Sequence, residues 1–266
     1  MDNTRAKFKE LLENSNVSMD QIAREIEWRI PKKLYRYMSF DNYWTNNLFK
    51  GEVVLKKPSE FNDPFDCYLN IDINKFWDTS GKKLFYKEHG MNISMNKHYG
   101  QDSDLSIFFG QDRMRVACFA ESWKTLLMWS HYADSHKGLC IEYDTSLMSV
   151  KKFLFPIIYQ NELYNATNDF CYYENNLFNF LFFKSNEWKY ENEWRIAVMK
   201  EQINDKMYDN GCELYKLIMK NCISAVYIGL KADDSNIEKI KNADVNFKIY
   251  KAKKSSNNFC LEKEAL

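Results

Sequence analysis

Glycine and proline are scarce in this chain, eight and four in 266 residues, which excludes collagen-like, linker-rich and low-complexity architectures. No excess of charge of either sign exists. Lysine plus arginine and aspartate plus glutamate both number 37, so there is no bulk electrostatic drive toward nucleic acid or an anionic membrane. Apolar runs are short: even Phe178 to Phe183 is broken by Asn179 and followed by Lys184, so no membrane span is expected. The seven cysteines lack framework spacing and the chain shows no secretory leader, so reduced thiols in a cytoplasm are expected. Also missing are a glycine-rich phosphate loop, a dinucleotide fingerprint, a nucleophile elbow and a zincin helix. Cys118, His131, His136 and Cys140 match no common zinc spacing, so no metal is expected.

Aromatic residues are plentiful instead, 16% within a 45% apolar total, enough to build a substantial core. Residues 1–30 read as a helical N-terminal arm or lid with no visible chemistry, in which Phe8, Leu11 and Leu12 share a face. Its second helix opens at Ser18 with Gln21 as a capping-box partner, and Pro31 stops it. Residues 31–266 read as a single domain. Strands are expected at Leu34 to Tyr37, Glu52 to Leu55, Val116 to Phe119, Leu139 to Tyr143, 153–159, Glu193 to Val198, Ile223 to Ile228 and Val245 to Lys251. Helices are expected at 40–49, closed by Gly51, at Lys124 to Tyr132, 168–184 and 234–242, with a polar insertion over about 72–104. Irregular alternation of these elements indicates an α+β fold with a mixed, largely antiparallel sheet and peripheral helices.

Four clusters carry candidate chemistry. In Tyr35-Arg36-Tyr37 an arginine sits between aromatics on a strand, and inward it needs a carboxylate or phosphate; on an edge strand it would face water. Pro58 to Asp66 combines Asn62 and Asp63, which can fix a turn or face a ligand, with Phe61 and Phe65 as anchors. The third cluster runs from Cys118 to Gly138. Its helix places Trp129 beside Ala133 and Met128 beside Tyr132, with His131 on another face, a set that suits either core packing or stacking on a planar ring. Finally, strand alternation would put Glu191, Glu193 and Arg195 on one face, where two carboxylates need cations, a ligand or water to offset them.

In this order the clusters resemble the bacterial family named domain of unknown function 2971. The resemblance rests on Tyr35-Arg36-Tyr37, Phe61-Asn62-Asp63-Pro64-Phe65-Asp66, Cys118-Phe119, Met128-Trp129-Ser130-His131-Tyr132-Ala133 with His136 and Gly138, and Trp188 to Arg195. In outline the chain also looks like ADP-ribosyltransferases of the Arg-Ser-Glu type, although no Ser-Thr-Ser strand is present. That likeness implies an ADP-ribosyltransferase-like fold with NAD as substrate. It places Arg36 at the dinucleotide's phosphate or ribose, Glu193 at the ribose as the essential catalytic group, and Glu191 at the acceptor. Tyr37, Tyr132 or Trp129 would stack the nicotinamide, with Asn62, Asp63, His131 and Arg195 completing the pocket. The acceptor, protein or nucleic acid, stays open, as does membership of a stress or phage-defence system. The competing expectation is a non-catalytic module that binds a nucleotide or a protein, and the aromatic surplus would also suit a homodimer interface. Geometry separates the two: an enzyme needs Arg36, His131, Tyr132 and Glu193 around one cleft.

Overall fold

The computed structural model describes residues 3–40, 48–68, 70–72, 75, 113–172, 178–209, 212–243 and 245–266. Two helices come first, α1 (Asn3–Leu12) and α2 (Met19–Glu27). Ser18 caps α2 as its spacing to Gln21 requires: Gln21 N–H donates to Ser18 Oγ at 3.3 Å, and Ser18 N–H donates to Gln21 Oε1 at 2.8 Å. Both helices bury their apolar faces in the main core. Phe8, Leu12, Ile22 and Ile26 belong to the same cluster as Leu34, Phe119 and Trp194, and the Phe8 ring stacks on Phe155 at 5.4 Å.

Strands follow in the order β1 (Lys33–Met38), β2 (Glu52–Leu55), β3 (Met114–Ala120), β4 (Leu139–Asp144), β5 (Leu154–Pro156), β6 (Ile158–Gln160) and β7 (Phe183–Ser185). Then come β8 (Glu193–Met199), β9 (Lys206–Asp209), β10 (Cys212–Ile218), β11 (Ile223–Ile228), β12 (Lys248–Lys254) and β13 (Leu261–Ala265). Among the described residues, the α-helices set out in full between them are α3 (Leu126–Tyr132), α4 (Thr167–Tyr172) and α5 (Asp234–Lys241). An eight-stranded sheet in the order β13-β12-β11-β4-β1-β3-β8-β5 forms the core, antiparallel except where β11 and β12 run parallel. Sheet β2-β10-β9 and the pair β6-β7 flank it. The fold is α+β, a larger mixed sheet with peripheral helices.

Pleating divides the core in two. On β1, Leu34 and Met38 join the cluster beneath α1 and α2, whereas Tyr35 and Tyr37 join a second cluster with Trp123, Trp129 and Tyr227. Several boundaries differ from the sequence reading. The single strand expected at 153–159 breaks after Pro156, which has no N–H to give a ladder, into β5 and β6 in different sheets. The helix expected over 168–184 does not run through: α4 ends at Tyr172, Asn179–Phe182 is a 3-10 turn, and Phe183–Ser185 is a strand. The last expected strand is shifted to Lys248–Lys254, and β9, β10 and β13 had no counterpart. The helix expected at 40–49 and the insertion at 72–104 lie mostly outside the described residues. Gly51 does turn the chain there at φ +69°, where a side chain would collide with the Lys220 backbone.

Candidate functional site

β1 lies between β4 and β3, so Arg36 is not on an edge strand. Six residue pairs join β1 to β4, but only Tyr35 and Ala120 are in register between β1 and β3. Beyond that pair the two strands part, and Val116 of β3 exchanges backbone hydrogen bonds with Lys56 instead. A cavity of about 310 Å³ occupies the parting. β1 contributes Tyr35, Arg36 and Tyr37 to its wall, and β3 contributes Cys118 and Phe119. Lys56 and Asn62 come from the loop after β2, Met128, His131 and Tyr132 from α3, and Lys184, Glu191 and Glu193 close one end.

That end is a buried network of charge. Lys184 Nζ lies 2.6 Å from Glu191 Oε2, 3.2 Å from Glu193 Oε2 and 3.2 Å from Asp66 Oδ2. Arg195, fully buried, holds Glu193 through Nε at 2.5 Å and Nη2 at 3.0 Å, and Asp66 through Nη2 at 2.6 Å. Its Nη1 donates to Leu181 O at 2.8 Å and to Cys67 Sγ at 3.1 Å. Ions taken out of water persist only when paired this fully. The two glutamates end in opposite states. Burial alone would raise the Glu193 carboxyl, but Arg195 and Lys184 overcome it and hold the group well below the usual carboxylate range. For Glu191, burial and the charge of Glu193 outweigh Lys184 and push it up to about 7. Tyr132 donates its hydroxyl to Glu191 Oε1 at 2.6 Å, and burial and that carboxylate push the phenol up, so it remains a donor.

Local geometry explains how three positions meet. Ser185 Oγ accepts from Glu187 N–H and opens a 3-10 turn, Asn186–Glu191. Asn192 then takes a left-handed conformation at φ +42°, which asparagine tolerates better than most residues. The strand starts only at Glu193, so Glu191 reaches the site from a turn and not by strand alternation. Glu193 and Arg195 do share a strand face, in register with Ala120 and Cys118, while Trp194 faces the main core.

Seven of the ten expected site residues line the cavity: Arg36, Tyr37, Asn62, His131, Tyr132, Glu191 and Glu193. Arg36 is half-buried; Nη2 donates to Val54 O at 3.1 Å, and its buried Nη1 has no hydrogen-bond partner among the described residues. Tyr37 lends its hydroxyl to Ser122 O at 2.7 Å. The other three stand outside the lining. Asp63 is buried and accepts from Phe65 N–H at 2.9 Å, fixing the loop. Trp129 is wholly in the core, its Nε1 donating to Trp123 O at 2.6 Å and its ring meeting Tyr37 edge-on, so it offers no face to a ligand. Arg195 sits behind Glu193. Phe65, expected to anchor the loop, is 60% exposed; Asp66 and Cys67 anchor it.

Two participants had no role of their own in the sequence reading, although Lys184 opens the fourth cluster, ahead of Trp188 to Arg195. Lys184 closes an aromatic run, a place where lysine rarely lies buried without a carboxylate, and that position was its signal. Arg5, from a segment in which no chemistry was visible, is buried and donates to Ile157 O at 3.0 Å, Glu193 O at 3.3 Å and Glu121 Oε1 at 2.9 Å. Glu121 also accepts from Trp194 Nε1, so α1 braces the backbone of the strand that bears Glu193. Nothing in the local sequence of α1 signals such a reach.

Among the described residues, no three His, Cys, Asp or Glu side chains are grouped to hold a metal ion, and no helix is long and apolar enough to cross a membrane. The family model described as protein of unknown function (DUF2971) matches residues 128–196. This stretch holds α3 from Met128 on and the Trp188 to Arg195 segment, but not Tyr35 to Tyr37, the 58–66 loop or Cys118 and Phe119. No curated protein and no solved structure matches the chain, and none of the comparisons connects it with ADP-ribosyltransferases.

Proposed function

We propose that the cavity is the active site of an enzyme that breaks the glycosidic bond of a nucleotide, with NAD the substrate to test first. One observation carries the reading: Arg36, His131, Tyr132, Glu191 and Glu193, far apart in sequence, surround a single cavity. At about 310 Å³ it suits one nucleoside-sized half of a dinucleotide, with the remainder in solvent. Arg36, whose buried Nη1 has no hydrogen-bond partner among the described residues, offers a donor to a phosphate oxygen, and Lys56 adds a second positive charge to the lining.

When the bond between C1′ and the nicotinamide nitrogen breaks, its electron pair leaves with the ring as neutral nicotinamide, and the sugar becomes oxocarbenium-like. Glu193, ionised at every ordinary pH, stabilises that cation. Water or another hydroxyl then bonds to C1′ through oxygen, and its proton passes to Glu191, which is poised near neutrality for this transfer. Tyr132 orients Glu191 through its 2.6 Å hydrogen bond. This keeps the roles that the sequence reading gave the pair, Glu193 at the ribose and Glu191 orienting or deprotonating the acceptor.

The test is release of nicotinamide from NAD by the purified protein, beside Glu191→Gln and Arg36→Ala variants shown to be folded by circular dichroism. Turnover in the parent that is lost in Glu191→Gln and weakened in substrate affinity in Arg36→Ala supports the reading. Absence of both turnover and NAD binding sinks it. A second reading, a non-catalytic binding module, draws on the closure of the Asp66, Lys184, Glu193 and Arg195 network, whose charges already satisfy one another. Under it the protein would bind a nucleotide without turnover.

A further inference from the structure

A groove of about 640 Å³ lies apart from the cavity, and no residue lines both. Leu126 at the start of α3, His136, Leu230 and Lys231 after β11, and Lys254 with the 255–261 segment of the β12–β13 hairpin form its walls. Backbone hydrogen bonds fix those walls. Lys231 N–H donates to His136 O at 2.9 Å, and Gly229 N–H to Gly138 O at 2.8 Å. The hairpin loop closes through Ser255 N–H to Cys260 O at 3.1 Å and Cys260 N–H to Asn258 O at 2.8 Å. Charge in the groove has one sign. Among the described residues no carboxylate lines it, and Lys231 and Lys254 are exposed and make no ion pair. Along the hairpin, Lys251 and Lys253 stand in register with Glu264 and Glu262, but Lys254 stands opposite Leu261. Cross-strand neighbours of opposite sign offset one another, so the positive charge left over collects at the loop end. Beside it the Phe259 ring is fully exposed among Ser256, Asn257 and Asn258, and Leu126 is exposed in the same groove. His136 adds an unfilled polar group: its Nε2 meets Ser130 Oγ at 3.2 Å, but its buried Nδ1 has no hydrogen-bond partner among the described residues.

We propose that this groove binds a single-stranded nucleic acid, one base stacked on Phe259 and the neighbouring phosphates on Lys231 and Lys254. The chemistry of such a chain meets each feature of the lining. Its phosphates repeat a negative charge for the lysines. Its unpaired bases present flat faces to an aromatic ring, and donors and acceptors on their edges to the amides and hydroxyls of the loop. An acidic peptide would satisfy the lysines and leave Phe259 in water, and a duplex would keep its base faces stacked inside. With 37 basic and 37 acidic residues the surface as a whole has no positive bias, so the attraction is local to the groove. The proposal is independent of the cavity and of any turnover there.

The probe is a fluorescein-labelled oligothymidylate of about twelve nucleotides, titrated with the whole chain at low salt and followed by fluorescence anisotropy. Two phosphates held by two lysines predict that log affinity falls against log salt with a slope of about −1.4. Lys254→Gln should halve that slope to about −0.7. Phe259→Ala, at an exposed position where the fold loses no packing, should weaken binding at least about fivefold. An abasic strand of the same length should be weaker by a similar factor and indifferent to Phe259→Ala. No binding, affinity unchanged by Phe259→Ala, a slope unchanged by Lys254→Gln, or equal affinity for a labelled oligoglutamate of the same length would each overturn the nucleic-acid groove; the last would assign it to an acidic peptide instead. None of these results bears on release of nicotinamide from NAD, so the two readings fail separately.

Discussion

Glu191 should make this protein less stable as the pH rises through neutrality, the opposite of what most carboxylates do. Its folded value of about 7 stands above the ordinary 4.5, so between those values the folded chain holds a proton that the unfolded chain has released. Stability falls with pH wherever the folded state binds more protons. The destabilisation is absent below about pH 4.5 and complete above about pH 7. Between pH 5 and pH 8 a single site with these two values costs about 2.5 kcal/mol. Asp169, pushed up to about 6 by burial, acts in the same direction over a lower range, and Glu193 acts oppositely at acid pH. Comparison with Glu191→Gln isolates the site. Urea unfolding followed by tryptophan fluorescence, at half-unit steps from pH 5 to pH 8, should show the parent losing about 2 to 3 kcal/mol more than the variant. A difference that stays within about 0.5 kcal/mol across the range would mean that Glu191 titrates like an exposed carboxylate, and the proton-transfer role would fall with it.

Other perturbations test the frame around the site. Arg195→Met would leave Glu193 and Asp66 buried without their main cation, at a cost of about 3 to 5 kcal/mol; a midpoint shift in urea corresponding to under about 1 kcal/mol would show the network to be weak. Gly138→Ala would drive a methyl group to 2.1 Å from the Met38 carbonyl oxygen, so a large loss of soluble, cooperatively melting protein is expected, and an unchanged melting temperature would contradict the packing there. Ser18→Ala removes the cap of α2 and should lower stability by about 1 kcal/mol in thermal unfolding, with ligand binding unaffected.

How far the sequence reached can be traced residue by residue. The strand at Leu34 to Tyr37 and the capping pair Ser18 and Gln21 are local patterns whose cause lies within a few residues, and each was legible. That Arg36, His131, Tyr132 and Glu193 belong to candidate clusters was also legible, but whether they share one cleft was left open between the enzyme and the binding-module readings. The identity of their partners was not legible. Lys184 meets Asp66, and Arg5 meets Glu193, through contacts that span more than a hundred residues, and no local spacing encodes such a distance. Trp129 illustrates the converse: its type suited a stacking ring, and only the packing of α3 on Tyr37 turned it inward.

The sequence by itself determined which segments would bury an apolar face and which charged residues could not be left alone there, since periodicity and desolvation act on the chain locally. Only the tertiary structure decided where β1 and β3 part to open the cavity, and which of two neighbouring glutamates keeps its charge. Glu193 is locked by Arg195 and Lys184 together, while Glu191 shares Lys184 and inherits the unbalanced charge. The difference arises because burial and pairing energies depend on the whole surrounding shell, which is assembled only when distant strands come into register.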